Sequence, residues 1–215
     1  INNPAGSFWN GKATGYITLP VAASPAYQLA LENIAWSWRP TRLLAGELAW
    51  DVTLQNPAAK FNGAVGLGLG GISISKAQAE VNAQIISEIY PAAALLKPQG
   101  KLQLTTDSFT INKNKFSGKA QLDWRNAEVV MSPVKPLGDY RALINATGDA
   151  GDMQLTTLSG PLKLNGKGNW SVKDGPRFSG TAQAEPAQAA NIDPLLQLMG
   201  KPAVSGAYPL EWPAK

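Results

Sequence analysis

The chain of 215 residues contains no cysteine and no histidine. The first absence excludes disulfides, thiol redox chemistry and cysteine-ligated zinc. The second removes the commonest general base and metal ligand, and with it most hydrolase triads and zinc sites. Charge is also scarce, at 16% of residues against 44% hydrophobic, so there is ample apolar surface to offset chain entropy and a globular fold is expected. The net charge of +4 comes from single lysines and arginines interspersed with acids; without a basic run, nucleic acid is not an expected partner. No apolar run reaches the ~18 residues that span a bilayer. No signal peptide is visible, and the chain opens on Ile1 rather than methionine, so an upstream signal or anchor is expected to be missing from it.

What the sequence does contain is repetition. Lys115 to Trp124 reads KFSGKAQLDW, and Arg177 to Pro186 reads RFSGTAQAEP. Looser copies of the aromatic-then-glycine phrase occur at Phe8, Trp9 and Gly11 and at Phe61 and Gly63. The repeat positions are thus Trp9 and Gly11, Phe61 and Gly63, Phe116 and Gly118, and Phe178 and Gly180; the glycines stand 52, 55 and 62 residues apart. A second phrase, glycine followed by an alternating segment, begins at Gly46, Gly100 and Gly160, each 17 to 20 residues before its own copy of the first, and again at Gly206. The two phrases read as the arms of a repeated hairpin. Turn residues lie between them: Asn56-Pro57, Asn112 to Asn114, and Asp174-Gly175, the last a type I′ signal.

Period-two alternation runs through most of the chain, for example Leu48, Trp50, Val52 and Leu54, or Tyr140, Ala142, Ile144 and Ala146, as expected of half-buried antiparallel strands. The apolar phase slips by one residue near Asn33, which predicts a β-bulge. A glycine inside such a strand predicts a bend, a bulge or a large side chain crossing over it. Two segments read as helix: 83 to 96, interrupted by Pro91, and 191 to 199, with Asn191 as cap, Pro194 in the first turn, Leu195, Leu196 and Met199 on one face, and Gly200 as stop. The predicted fold is a mainly β single domain over 1–215, built of consecutive antiparallel hairpins in a strongly curved sheet or partly closed barrel, with one or two short helices. Closure or self-packing is the expected fate of its apolar face.

No chemistry emerges from the spacing. Gly66, Gly68 and Gly71 match a nucleotide-binding glycine pattern by letter, but a strand follows them instead of a helix N-terminus. Asp149 to Asp152 lacks the ligands of a calcium loop and reads as a hairpin turn. The carboxylates Asp107, Asp123, Glu128, Asp139 and Glu185 show no acid and base pairing. Most of the seven tryptophans alternate with aliphatic partners and read as core. No catalytic, metal or cofactor residue is therefore assigned.

Gly6 to Ala13 (GSFWNGKA), Trp36 to Pro40 (WSWRP) with Leu43 to Gly46, Leu137 to Tyr140 (LGDY), and Gly166 to Trp170 before Arg177 to Gly180 together resemble protein N of bacterial type II secretion systems over nearly the whole chain. That resemblance implies a periplasmic domain held by an inner-membrane helix preceding this sequence. It implies a non-enzymatic accessory role in the inner-membrane platform that exports folded proteins, with other platform subunits and the secretin as partners. The hairpin grammar is also similar to AsmA-like and TamB-like proteins, which implies an alternative: a periplasmic lipid-binding or lipid-transfer domain with an apolar groove. An enzyme with paired carboxylates on a β scaffold is the third and weakest reading.

Overall fold

The computed structural model describes residues 2–19, 27–113, 115–198, 200–203 and 206–213. Thirteen strands follow one another: β1 (Asn2–Gly6), β2 (Asn10–Leu19), β3 (Tyr27–Trp38), β4 (Glu47–Gln55), β5 (Ala59–Gly68), β6 (Gly71–Asn82), β7 (Gln99–Asn112), β8 (Lys115–Glu128), β9 (Gly138–Gly148), β10 (Ala150–Ser159), β11 (Leu162–Ser171), β12 (Gly175–Ala184) and β13 (Tyr208–Trp212). Each pairs antiparallel with the next, in a single sheet whose spatial order is the chain order. Alternating apolar residues and short turns produce this meander, because a tight turn returns the chain only as an antiparallel neighbour.

The turns explain the punctuation seen in the sequence. Asn56 accepts the backbone N–H of Ala58 and Ala59 on Oδ1, at 2.9 and 2.5 Å, and so closes the β4–β5 connection with its side chain. Leu69-Gly70 and Gly148-Asp149 are two-residue hairpin loops, since Gly68 pairs with Gly71 and Thr147 with Ala150. The glycines of the nucleotide-like pattern are thus strand and turn residues. The β11–β12 loop departs from the expected type I′ turn. Ser171 pairs with Gly175, which leaves three loop residues, and only Gly175, at φ +74°, is left-handed; this is the three-residue loop with a glycine bulge. Of the 112–114 turn, Asn114 lies outside the described residues. The glycine-led openings share a backbone cause. Gly46, Gly100, Gly160 and Gly206 have φ of +71°, +99°, +108° and +78°, where a side chain would be strained.

Register shifts interrupt the ladders at seven places among the described residues, and four of them are bulges between long strands. Glu32 and Asn33 oppose Thr14, with Asn33 at φ +52°, where the phase slip predicts one. Lys76 and Ala77 oppose Gly63, Thr106 and Asp107 oppose Ala120, and Arg125 and Asn126 oppose Asp139. Each bends its strand and adds twist, so the sheet curls. Tyr90, between β6 and β7, meets Trp212 of β13 edge to face at 5.7 Å.

The sheet nevertheless stays open, contrary to the closure expected from the width of its apolar face. Among the described residues no pairing joins β1 to β13. Both edge strands are five residues long and carry proline, Pro4 in one and Pro209 in the other, which takes one ladder donor out of each edge and weighs against pairing there.

The helices are short. α1 (Ile85–Ile89) is followed by a 3-10 turn at Pro91–Leu95, and α2 (Ala189–Gln197) begins two residues before the expected cap. Asn191 lies inside α2, donating from Nδ2 to Gln188 Oε1 at 3.0 Å, and Pro194 sits mid-helix; Met199 lies outside the described residues. α2 buries Ile192, Leu195 and Leu196 against Leu162, Ala182 and Tyr208, with Val129 and Leu137 beside them. This cluster covers one end of the sheet at β11–β13.

Candidate functional site: a two-faced sheet

Register sorts the side chains into two unlike faces. Leu54, Phe61, Ala79, Leu104, Leu122, Ala142, Leu155, Gly166, Gly180 and Leu210 stand opposite one another from β4 to β13, forming one apolar row. Parallel rows above and below it are apolar too. Among the described residues of these ten strands, no Asp, Glu, Lys or Arg shares this face; Lys76 and Asp107, at bulges, line the other. From β4 to β10 the polar side-chain atoms on the apolar face are already engaged. Tyr140 Oη donates to the Leu162 carbonyl at 3.0 Å, Thr157 Oγ1 to Leu164 at 2.8 Å, Thr106 Oγ1 to Lys119 at 2.6 Å, and Trp124 Nε1 to Gln99 at 2.9 Å.

All four repeat glycines lie in strands on the apolar face, but aromatic rings cover them in different ways. A Cβ on Gly63 would press on Ala77 and on the ring of Phe61, its own strand neighbour; on Gly180 it would meet the Asn165 carbonyl, Gly166 and the ring of Phe178. Gly118, at φ +139°, is instead covered by Phe109 across the ladder, while Phe116 stays at the exposed rim; Gly11 is covered by Trp36. Trp9 precedes β2 and packs at 4.3 Å on Trp38. The tryptophans are likewise divided. Trp50 is buried, its Nε1 donating to the Phe8 carbonyl, and Trp124 packs on Tyr140, whereas Trp9 and Trp212 are exposed and are not core.

The polar face holds the charges, and most of the carboxylates singled out in the sequence are committed there. Asp123 is only 4% exposed. Arg141 grips it with two bonds, Nε to Oδ1 at 2.7 Å and Nη2 to Oδ2 at 2.8 Å, and Arg125 adds a third at 2.8 Å. Arg141 chiefly holds this carboxyl below the usual carboxylate range, against the opposing effect of burial. Asp139 accepts from the Asn126 N–H and lies 3.6 Å from Arg125. Glu185 pairs with Lys163 at 2.8 Å, and Glu80, bonded by Lys101 and Gln103, is lowered to about 2. Asp107 is exposed on a cleft of the polar face; Glu128 ends β8 opposite Gln99. The Asp123 cluster escapes sequence reading because its members are brought together by the 123-to-141 register, which no local spacing reveals. Shallow clefts crease this face where the strands bend; one of about 500 Å³ follows the bulges at 76–77 and 106–107. Among the described residues no three of His, Cys, Asp or Glu come together as a metal site, and no helix is long and apolar enough to cross a membrane.

The type II secretion system protein N family matches residues 1–211. The chain belongs to this family. Its open two-faced sheet is therefore that of a secretion component, which associates with other type II secretion proteins at the cell envelope. No curated protein and no solved structure gives a significant match.

Proposed function

We propose that this protein is a non-enzymatic accessory component of the type II secretion inner-membrane platform. In this reading it is a single periplasmic domain of repeated hairpins, anchored in the inner membrane by a segment preceding Ile1, and it helps folded proteins pass from the periplasm through the outer-membrane secretin. Family membership over nearly the whole chain carries the reading. The site chemistry supports it: Asp123, Asp139, Glu80 and Glu185 are each tied to a cation, and the dominant feature of the molecule is a surface. The partners are other platform subunits and the secretin, engaged through apolar surface and sheet edges. Deleting the gene in a host that uses this pathway, then measuring a folded cargo in the medium and in the periplasm, tests the role. Cargo should accumulate in the periplasm and return to the medium on complementation; unchanged secretion together with no co-isolation of secretion subunits would overturn it.

A further inference from the structure

Beyond that role, we propose that the apolar face is a binding site for the acyl chains of phospholipid, entered from the hairpin-turn end of the sheet. The face demands an occupant. Across β4 to β8 alone, five strands about 4.8 Å apart and about ten residues long span roughly 800 Å² of sheet, along which Leu48, Leu67, Ile72, Leu104 and Phe116 stay exposed, and a contiguous exposed apolar surface marks a binding site. Helix α2 covers only the β11–β13 end. Leu104, at the centre of the β4–β8 region, remains 39% exposed.

The chemistry of the face selects hydrocarbon over protein. A protein interface carries about one hydrogen bond per 100–200 Å², yet from β4 to β10 the hydroxyls of Tyr140, Thr157 and Thr106 and the indoles of Trp50 and Trp124 are all spent on this chain's own carbonyls. No charge is offered on this face from β4 to β13 among the described residues. An acyl chain asks for neither.

The two ends of the strands differ in a way that gives the direction of entry. At one end α1 with the 3-10 turn Pro91–Leu95 joins β6 to β7 and α2 joins β12 to β13, and α2 packs on the sheet there. The other end is crossed by an apolar row, Leu48, Leu67, Ile72, Ile111 and Phe116, paired strand to strand. All but Ile111 are exposed, and beyond them Leu69 projects fully from the β5–β6 turn. Phe8 and Trp9 lie exposed at this same end, on the β1–β2 turn, where the amphipathic indole of Trp9 suits a membrane surface. Turn residues Lys113 and Lys173 and strand residue Lys115 place ammonium groups at this end for the headgroup phosphate, interspersed with Asp149, 3.3 Å from Lys115, and Asp174, bonded by Ser171.

The test incubates the full chain with vesicles of equimolar phosphatidylethanolamine and phosphatidylglycerol, re-isolates the protein and counts retained lipid by native mass spectrometry. Two variants separate the faces: Leu104→Glu on the apolar face, and Leu143→Asp on the polar face, where Leu143 is 48% exposed. Wild type and Leu143→Asp should retain at least one phospholipid per chain, and Leu104→Glu should lose it by roughly tenfold or more. A photoactivatable acyl-chain phospholipid on the unmodified protein supplies a readout independent of variant folding; its adducts should map to β4–β13 residues of the apolar face. No retained lipid, equal retention in both variants, adducts confined to the polar face, or a dimer that buries the face and excludes lipid would each overturn the proposal. None of these outcomes bears on the secretion assay, so the two readings fail separately.

Discussion

Replacing Asp123 by asparagine should destabilise the sheet while leaving its apolar face intact. The carboxylate is buried, with a side chain only 6% exposed, and receives three charge-assisted bonds from Arg141 and Arg125. Removing one partner of such a pair typically costs about 3–5 kcal/mol because the opposite charge is left uncompensated. Here both arginines are about a third exposed and regain water, Arg125 keeps Asp139 as a neighbour, and the amide oxygen still accepts one bond. The expected loss is therefore about 2–3 kcal/mol. For a chain of this length that lowers the midpoint of thermal unfolding by about 4–12 °C, read by circular dichroism at the β band. The double variant Asp123→Leu with Arg141→Leu should lose less than Asp123→Asn alone, because no buried charge is stranded. A single variant melting within about 1 °C of wild type would refute the reasoning.

Other outcomes follow from the same geometry. Gly118→Val and Gly180→Val should each cost about 1–3 kcal/mol by urea denaturation, the first through its φ of +139° and the second through the Asn165 carbonyl and the Phe178 ring; no loss at either would show that the ladder has room there. Glu80, lowered chiefly by its hydrogen bond from Lys101, and Asp123, lowered chiefly by Arg141, contribute stability that is fully present above their unfolded values, about 4 to 4.5, and lost as pH falls through the folded ones. The unfolding midpoint should drop between about pH 4.5 and 2, less steeply in Glu80→Gln, and stay flat from about pH 5 to 8, where a chain without histidine has no side chain of ordinary pKa to titrate. Tyr90→Ala removes the contact that holds β13 against the β6–β7 connection, so backbone hydrogen exchange in β13 should quicken while β4 is unchanged; equal exchange in both would show that the contact does not hold the curl.

The strands were legible because their code is local. Alternation at Leu48 to Leu54 or Tyr140 to Ala146 marks one face without reference to any neighbour, and the phase slip at Asn33 marks a bulge for the same reason. Glycines 46, 100, 160 and 206 announced strand openings because positive φ admits few other residues. What the sequence left hidden depends on register. That Gly118 lies under Phe109 while Gly180 lies under Phe178, and that Asp123 faces Arg141, follows only once β7, β8 and β9 are aligned. Openness was also illegible: an apolar face of this width reads as future core, and the prolines of the edge strands, Pro4 and Pro209, weigh against closure only when known to lie at edges. The start of α2 is hidden because Asn191 resembles a cap, whereas the 3-10 turn at Pro186–Gln188 already leads the chain into the helix.

The claim that this protein acts in secretion through its surfaces, without chemistry of its own, is tested most directly by complementing a deletion strain and measuring cargo in the medium. Asp107→Asn, Glu128→Gln and Asp139→Asn, each present at wild-type level in the cell, should restore secretion fully, and the uncomplemented deletion strain should retain cargo in the periplasm. Loss of secretion in any one of these folded carboxylate variants would contradict the account.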